Sequence, residues 1–419
     1  MISGPAAGRP GPSPAAQGPT AAVGVAWRRR LIYAAVISFF VLGVAAHWRP
    51  DSGFTSLIRF GRQFEPVRLP ELAGVGIATV PGGGYDGQFY AQLAVNPDVT
   101  APAVQHALDN PQYRARRILL PLVAHLLGAG RPGPTLQVYS LLNVVAWGLL
   151  AWLLHRVTRD AGVRGAAIWA VCLLSLGALD SVREALTDLP ALLLVAAAVQ
   201  CLERRRENLW PAALLLAAAG LVRETAVLAA GMLAPTVGGG ARAGGPGRAG
   251  PRPATAFAAA ALAVLPAGAW MLWLARVSPA GDMAGTANFG WPGLAFLRQF
   301  YECGAALLAG PFHWQFVFGP LAALGLAWQS GAVLRSAVAG GSAWACAALP
   351  CALLFWVLGD AEWGGRLGGG YYAVARVCLP MTVAYGLLLP RDRWFWWRLV
   401  LPNLCVVHAL MRFWPSFTS

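Results

Sequence analysis

The sequence contains no lysine, so all 32 of its basic residues are arginine. Charged residues of either sign are scarce, 12% of 419 positions, whereas hydrophobic residues make up 57% and the mean hydropathy is +0.54. So little charge on so apolar a chain excludes a water-soluble fold and fits several membrane spans. The formal net charge of +14 would suggest a nucleic-acid partner in a soluble protein. Here the arginines sit in short segments between apolar runs, as the positive-inside rule requires, so the charge is topological and no nucleic acid is implied.

Other absences narrow the chemistry. There is no CxxC pair, and the seven cysteines (172, 201, 303, 346, 351, 378 and 405) fall mostly inside apolar runs, which reads as small buried hydrophobes. The six histidines (47, 106, 125, 155, 313 and 408) show neither HExxH nor another zinc-ligand spacing. Neither a GxxxxGK[ST] loop nor a GxGxxG after a strand occurs, which argues against nucleotide-driven transport and a nucleotide-sugar donor on a Rossmann domain.

What is present is a series of apolar runs. Residues 1–27, rich in Pro, Gly and Ala, read as a disordered cytoplasmic segment, and 28–419 as a single transmembrane domain. Arg28, Arg29 and Arg30 precede an apolar run without a small-residue cleavage site, which predicts an uncleaved signal anchor over 31–48. The first extracytoplasmic loop then runs over 49–134. Within it, 118–129 is apolar but spans only about 18 Å of helix against a core of about 30 Å, so it reads as interfacial or re-entrant.

Further spans follow at 136–154, 166–179, 189–202, 255–275, 312–328, 337–358, 371–389 and 399–414, with a flexible basic cytoplasmic loop over 238–254. Arginine-rich flanks on both sides of 209–234 demand an even number of crossings there, hence a hairpin of two short helices with Arg223 and Glu224 at its outer tip. The fold class is thus all-α and polytopic, with about eleven spans, a cytoplasmic start and interfacial helices in the first outer loop. On this topology Asp160, Glu203, Glu207 and Asp392 are cytoplasmic and the other 14 of the 18 acids lie outside. A transporter more often keeps acids at mid-membrane for ion coupling, so the crowding points to chemistry at the outer surface of a plasma (inner) membrane.

The first outer loop carries GGGYDGQFYAQLAVNP over 82–97 and PQYRARRILLPLVAHLL over 111–127. Asp86 stands where a helix begins, and two readings are open for it: a helix cap, or a catalytic base. An acid in the first outer loop resembles the GT-C superfamily of glycosyltransferases, which use polyprenyl-phosphate sugars. YDGQFYAQLA followed by RRILLPLVAHLL is similar to the branch that contains glycosylphosphatidylinositol mannosyltransferases and bacterial cell-surface glycopolymer proteins. EALTDLPALLL (184–194) and GLVRETAVL (220–228) extend the likeness over about the first 230 residues.

The resemblance implies transfer of a sugar, such as a mannose-type hexose, from a polyprenyl-phosphate donor to a glycan, lipid or protein acceptor outside, with inversion and with Asp86 as general base. Tyr85, Gln88 and Tyr90 beside it are expected to bind substrate. The leaving lipid phosphate calls for arginine, whose planar fork binds phosphate oxygens in pairs. Arg114, Arg116, Arg117, Arg223 and Arg376 are the candidates, against interfacial anchoring for the first three and pairing with Glu224 or another acid for Arg223. Arg376, about one and a half turns into a span, is a functional suspect by position alone. Glu184 and Asp188, four apart near Asp180 and Arg183, either orient the acceptor, hold a divalent cation (Mg or Mn), or form an outer ion pair. Asp360, Glu362 and Arg366 among glycines read as a mobile closing loop or as a plain connection. A carrier for lipid-linked sugars and a noncatalytic membrane scaffold are the competing functions.

Overall fold

The computed structural model describes residues 19–205, 208–234, 252–278, 288–340, 342–364 and 371–415; most of the expected disordered segment and basic loop, together with Asp282 and Arg366, lie outside them. Of the described residues 77% are helical, and the only sheet among them pairs β1 (Phe60–Gly61) with β2 (Thr79–Val80) in parallel.

The chain opens on α1 (Pro19–Ala46), so helix begins ahead of the three arginines. The outer loop holds α2 (Gly87–Val95), α3 (Pro102–Ala107), α4 (Pro111–Ala115) and α5 (Leu119–Leu127), each too short to cross a bilayer. Asn110 starts α4 by accepting a hydrogen bond from the Tyr113 N–H, with Pro111 in the first turn. Long α6 (Pro132–Thr158) then doubles back into α7 (Gly162–Leu173) at Gly162 (φ 62°). Two tryptophans report the antiparallel register: Trp147 Nε1 donates to Leu173 O at 3.0 Å and Trp169 Nε1 to Ala151 O at 2.7 Å.

The bundle continues through α8 (Leu176–Arg183), α9 (Asp188–Arg204) and α10 (Leu209–Val222). Extended backbone at Arg223 (φ −153°, ψ 119°) breaks the chain before a 3-10 helix, Glu224–Leu233, which folds back on α10 so closely that Gly220 meets Val227. That is the hairpin geometry expected for 209–234. The remaining helices are α11 (Pro253–Val277), α12 (Leu294–Ala309), α13 (Trp314–Val338), α14 (Ala343–Val357), α15 (Asp360–Trp363), α16 (Tyr371–Val377), α17 (Leu379–Leu388), α18 (Phe395–Val400) and α19 (Val406–Phe413).

Among the described residues four helical stretches are long and apolar enough to cross a membrane: Ala26–Ala46, Pro132–Leu173, Pro253–Val277 and Trp314–Val338; α16 and α17, bent by 61°, make a fifth if taken as one broken span. This is an all-α, membrane-type protein, with apolar side chains such as Leu42, Leu265 and Leu324 facing outward where lipid would cover them. Its cysteines form no disulfide among the described residues; Cys172, Cys303, Cys351 and Cys378 are buried.

Two apolar cores result. The larger fills the bundle, and the smaller joins Tyr90, Leu93 and Ala94 of α2 to Leu120 and Ala124 of α5 and to Leu136 and Tyr139 of α6. All nine residues of α2 are buried, so it is enclosed by the outer loop instead of lying on an open surface, while α5 leaves Leu126 and Leu127 exposed.

Candidate functional site

Asp86 directly precedes α2, yet its backbone is already helical (φ −52°, ψ −33°) and its side chain makes no capping hydrogen bond. The cap reading therefore does not apply. Its Oδ2 lies 2.9 Å from Arg114 Nη1, and 33% of its side chain remains exposed, against 2% for Asp180, Glu184 and Asp188. The loop that presents it needs Gly84, whose φ is 68° and where a Cβ would fall within 3.0 Å of the Arg59 carbonyl and the Gly61 nitrogen. Gln88 ties the loop down, accepting from Gly61 N at 2.9 Å and donating to Gly83 O at 2.7 Å, so its amide is engaged by backbone.

Behind Asp86 the three arginines of 111–117 are buried, not anchored at a surface. Arg114 grips Asp109 with two bonds of 2.8 and 2.7 Å as well as facing Asp86. Arg117 grips Glu224 with two bonds of 2.8 Å, and Arg116 lies 3.5 Å from the same carboxylate. Tyr90, fully buried, accepts from Arg117 Nη1 at 2.5 Å and from Arg114 Nη1 at 3.4 Å, linking the two pairs. Burial raises the Asp86 pKa, but Arg114 and Arg376 outweigh it and hold the carboxyl below its ordinary value.

The hairpin and α16 complete the arrangement. Arg223 Nη1 lies 2.7 Å and Arg376 Nη1 3.7 Å from the two oxygens of Asp188. Neither contact is a hydrogen bond, the Arg376 one being too long and the Arg223 one off-angle, so both are charge pairs first. Arg376 Nη2 donates to Tyr85 Oη at 2.7 Å, with the guanidinium 5.1 Å from the Tyr85 ring centre, and thereby joins Asp188 to the residue beside Asp86. Burial pushes the Tyr85 phenol pKa up, so it stays a neutral hydroxyl. Asp188, Arg223, Thr225 and Arg376 form the polar end of a small cleft whose other walls include Ala191, Leu192, Val195 and Leu228.

A third group closes the cluster. Arg412 Nε lies 3.3 Å from Asp180 and its Nη2 3.3 Å from Glu184, which Arg59 and Arg183 also approach at 3.4 and 3.5 Å. Burial and the neighbouring Asp180 push the Glu184 carboxyl up, against the pull of Arg412 and Arg183. Arg59 holds a left-handed backbone (φ 59°), and its carbonyl accepts from Tyr85 N at 3.1 Å.

The structure thus gathers Asp86, Tyr85, Tyr90, Arg114, Arg116, Arg117, Glu184, Asp188, Arg223, Glu224 and Arg376 into one network. Arg59, Asp109 and Arg412 belong to it too, although sequence reasoning passed over them; Arg412, inside an apolar run, carried the same signal as Arg376. Asp360 stands apart, paired with exposed Arg298. Among the described residues eight arginines (59, 114, 116, 117, 183, 223, 376 and 412) meet six carboxylates (86, 109, 180, 184, 188 and 224), an excess of two positive charges. Every one of those carboxylates faces an arginine, and no three His, Cys, Asp or Glu side chains among the described residues are grouped as metal ligands. No protein-family model matches the chain, and neither does any curated protein or solved structure.

Proposed function

We propose that this protein is a membrane glycosyltransferase of the GT-C kind, which moves a sugar from a polyprenyl-phosphate donor to an extracytoplasmic acceptor. The observation that carries the reading is the pairing of a partly exposed carboxylate, unused as a cap, with an arginine-rich cleft reached through Tyr85 and Arg376.

In this reading the acceptor hydroxyl gives its proton to Asp86 as its oxygen bonds to the anomeric carbon. The bond from that carbon to the phosphate oxygen breaks, its electron pair leaves with the lipid phosphate, and the anomeric centre inverts. Arg376 and Arg223, with Asp188 spacing them, meet the developing phosphate charge. Arg376 Nε has no hydrogen-bond partner among the described residues, which leaves a donor for a phosphate oxygen. Arg114 and Arg117, held by Asp109 and Glu224, position Asp86 and Tyr90. The apolar cleft walls suit the first isoprene units, with the donor arriving sideways from the bilayer.

The rest of the expected topology belongs to the same proposal: an inner-membrane location, an outward-facing site and about eleven crossings, the shorter ones made by helices such as Leu209–Val222 and Ala343–Val357. The test is to incubate purified protein in lipid with a panel of polyprenyl-phosphate sugars and to measure release of polyprenyl phosphate. Release with one sugar and transfer to an acceptor supports the enzyme; movement of the intact donor between leaflets without release establishes a carrier instead.

A further inference from the structure

A second cavity, wide and open to the outside, lies between α13, α17 and α18. It lies far from the charged network. Gly319 of α13 packs on the Tyr371 ring, beside the Tyr372 that carries the Arg412 guanidinium, whereas Arg335 at the cavity is sixteen residues on, about 24 Å along the helix at about 1.5 Å per residue. That separation approaches the thickness of a hydrocarbon core, about 30 Å, so the two features face opposite leaflets.

The cavity is basic at its rim and apolar along its wall. Arg335 is exposed, and no described carboxylate pairs with it. Arg398 has one carboxylate, Asp392, at 2.8 Å. Ser336 adds a hydroxyl, while Leu388, Trp328 and the buried ring of Tyr385 supply apolar surface; the Tyr385 hydroxyl is engaged, donating to Arg398 O at 2.5 Å. The adjoining turn carries Arg391 and Arg393 as well, and Trp394, Trp396 and Trp397 are exposed as at a membrane interface.

We infer that this cavity is a binding site for an anionic phospholipid, whose phosphate lies on Arg335 and Arg398 and whose acyl chains run along the apolar wall toward Leu388. The charge balance selects the headgroup: arginine without a matching carboxylate favours a net-negative lipid over a zwitterionic one. The inference is independent of the proposed enzymatic reaction.

Native mass spectrometry of the full-length protein in detergent, supplied with equal amounts of phosphatidylglycerol and phosphatidylcholine, tests it. The wild type is expected to retain phosphatidylglycerol preferentially. Arg335→Gln should lower that retention about fivefold, the value of about one basic residue near an anionic surface. Arg335→Lys keeps the charge and should keep the preference, and Arg204→Gln, which removes another exposed arginine, should leave it intact. Equal retention of the two lipids by the wild type, or an Arg335→Gln protein indistinguishable from the wild type or from Arg204→Gln, would overturn the inference.

Discussion

Gly87 sits against the main chain of Glu184, so close that a Cβ there would fall within 3.0 Å of the Glu184 carbonyl oxygen. The first helical residue after Asp86 is thereby locked to the segment that supplies Glu184 and Asp188. Both sides of the contact are backbone, so neither can yield by a rotamer change. Gly87→Ala is expected to destabilise the protein by about 1–3 kcal/mol, the usual penalty of overpacking. Gly133→Ala, where a Cβ meets nothing within 4 Å, should be neutral. Thermal unfolding in detergent checks both.

Removal of the Glu224 charge exposes the cost of a buried guanidinium. Arg117 is 4% exposed, and the two Glu224 bonds of 2.8 Å are its charge partner. Glu224→Gln should cost about 3 kcal/mol, because a broken buried pair leaves one charge uncompensated. A variant with an unchanged unfolding midpoint would show that water reaches Arg117.

His47, just beyond α1, gives the protein a pH-dependent term. Burial and the nearby arginines 183, 49 and 59 lower its pKa to about 4, against the pull of its bond to Phe413 O at 3.1 Å. The unfolded chain binds this proton near pH 6.5, earlier than the folded one, so acidification between about 6.5 and 4 favours unfolding by up to about 1.4 kcal/mol per pH unit. Unfolding midpoints measured across that window should fall with pH, and His47→Gln should flatten the slope. Asp86 acts lower: its depressed pKa keeps it ionised at neutral pH, and the stability it contributes is lost only as pH falls below the ordinary carboxylate range, about 3.9.

Arg376 spans Asp188 and Tyr85 with different nitrogens of one planar fork. Lysine cannot span both. Arg376→Lys is expected to lower kcat/KM for the lipid donor by about 10–100-fold, as loss of charge-assisted hydrogen bonds of about 1.5–3 kcal/mol implies. Steady-state kinetics with the active donor is the measurement.

Much of this was legible in the chain. Arginine-rich flanks on both sides of 209–234 demanded a turn, and the chain turns at Arg223. The dozen apolar residues from Ile118 were too few to span, and the helix there has nine. Arg376 stood out as a charge inside an apolar run, Asp86 by its place at a helix start and Asp188 by its spacing from Glu184, and the fold brings them into one network. What the sequence hid is pairing over distance: Arg412 meets Asp180 across 232 positions, and no local pattern records that. Arg59 was hidden for a related reason, since it reaches Glu184 across 125 positions. Asp86 looked equally suited to capping a helix, and its already helical backbone, with the carboxylate turned toward Arg114, sets the cap aside.

The central claim, that Asp86 takes the acceptor proton, is tested most directly by Asp86→Asn protein reconstituted in lipid with the active polyprenyl-phosphate sugar. Asparagine keeps the shape and cannot accept the proton. The account predicts release of polyprenyl phosphate reduced by about 10²–10⁴-fold, the usual contribution of a general base, with expression and membrane insertion unchanged. Turnover at the wild-type rate would contradict it.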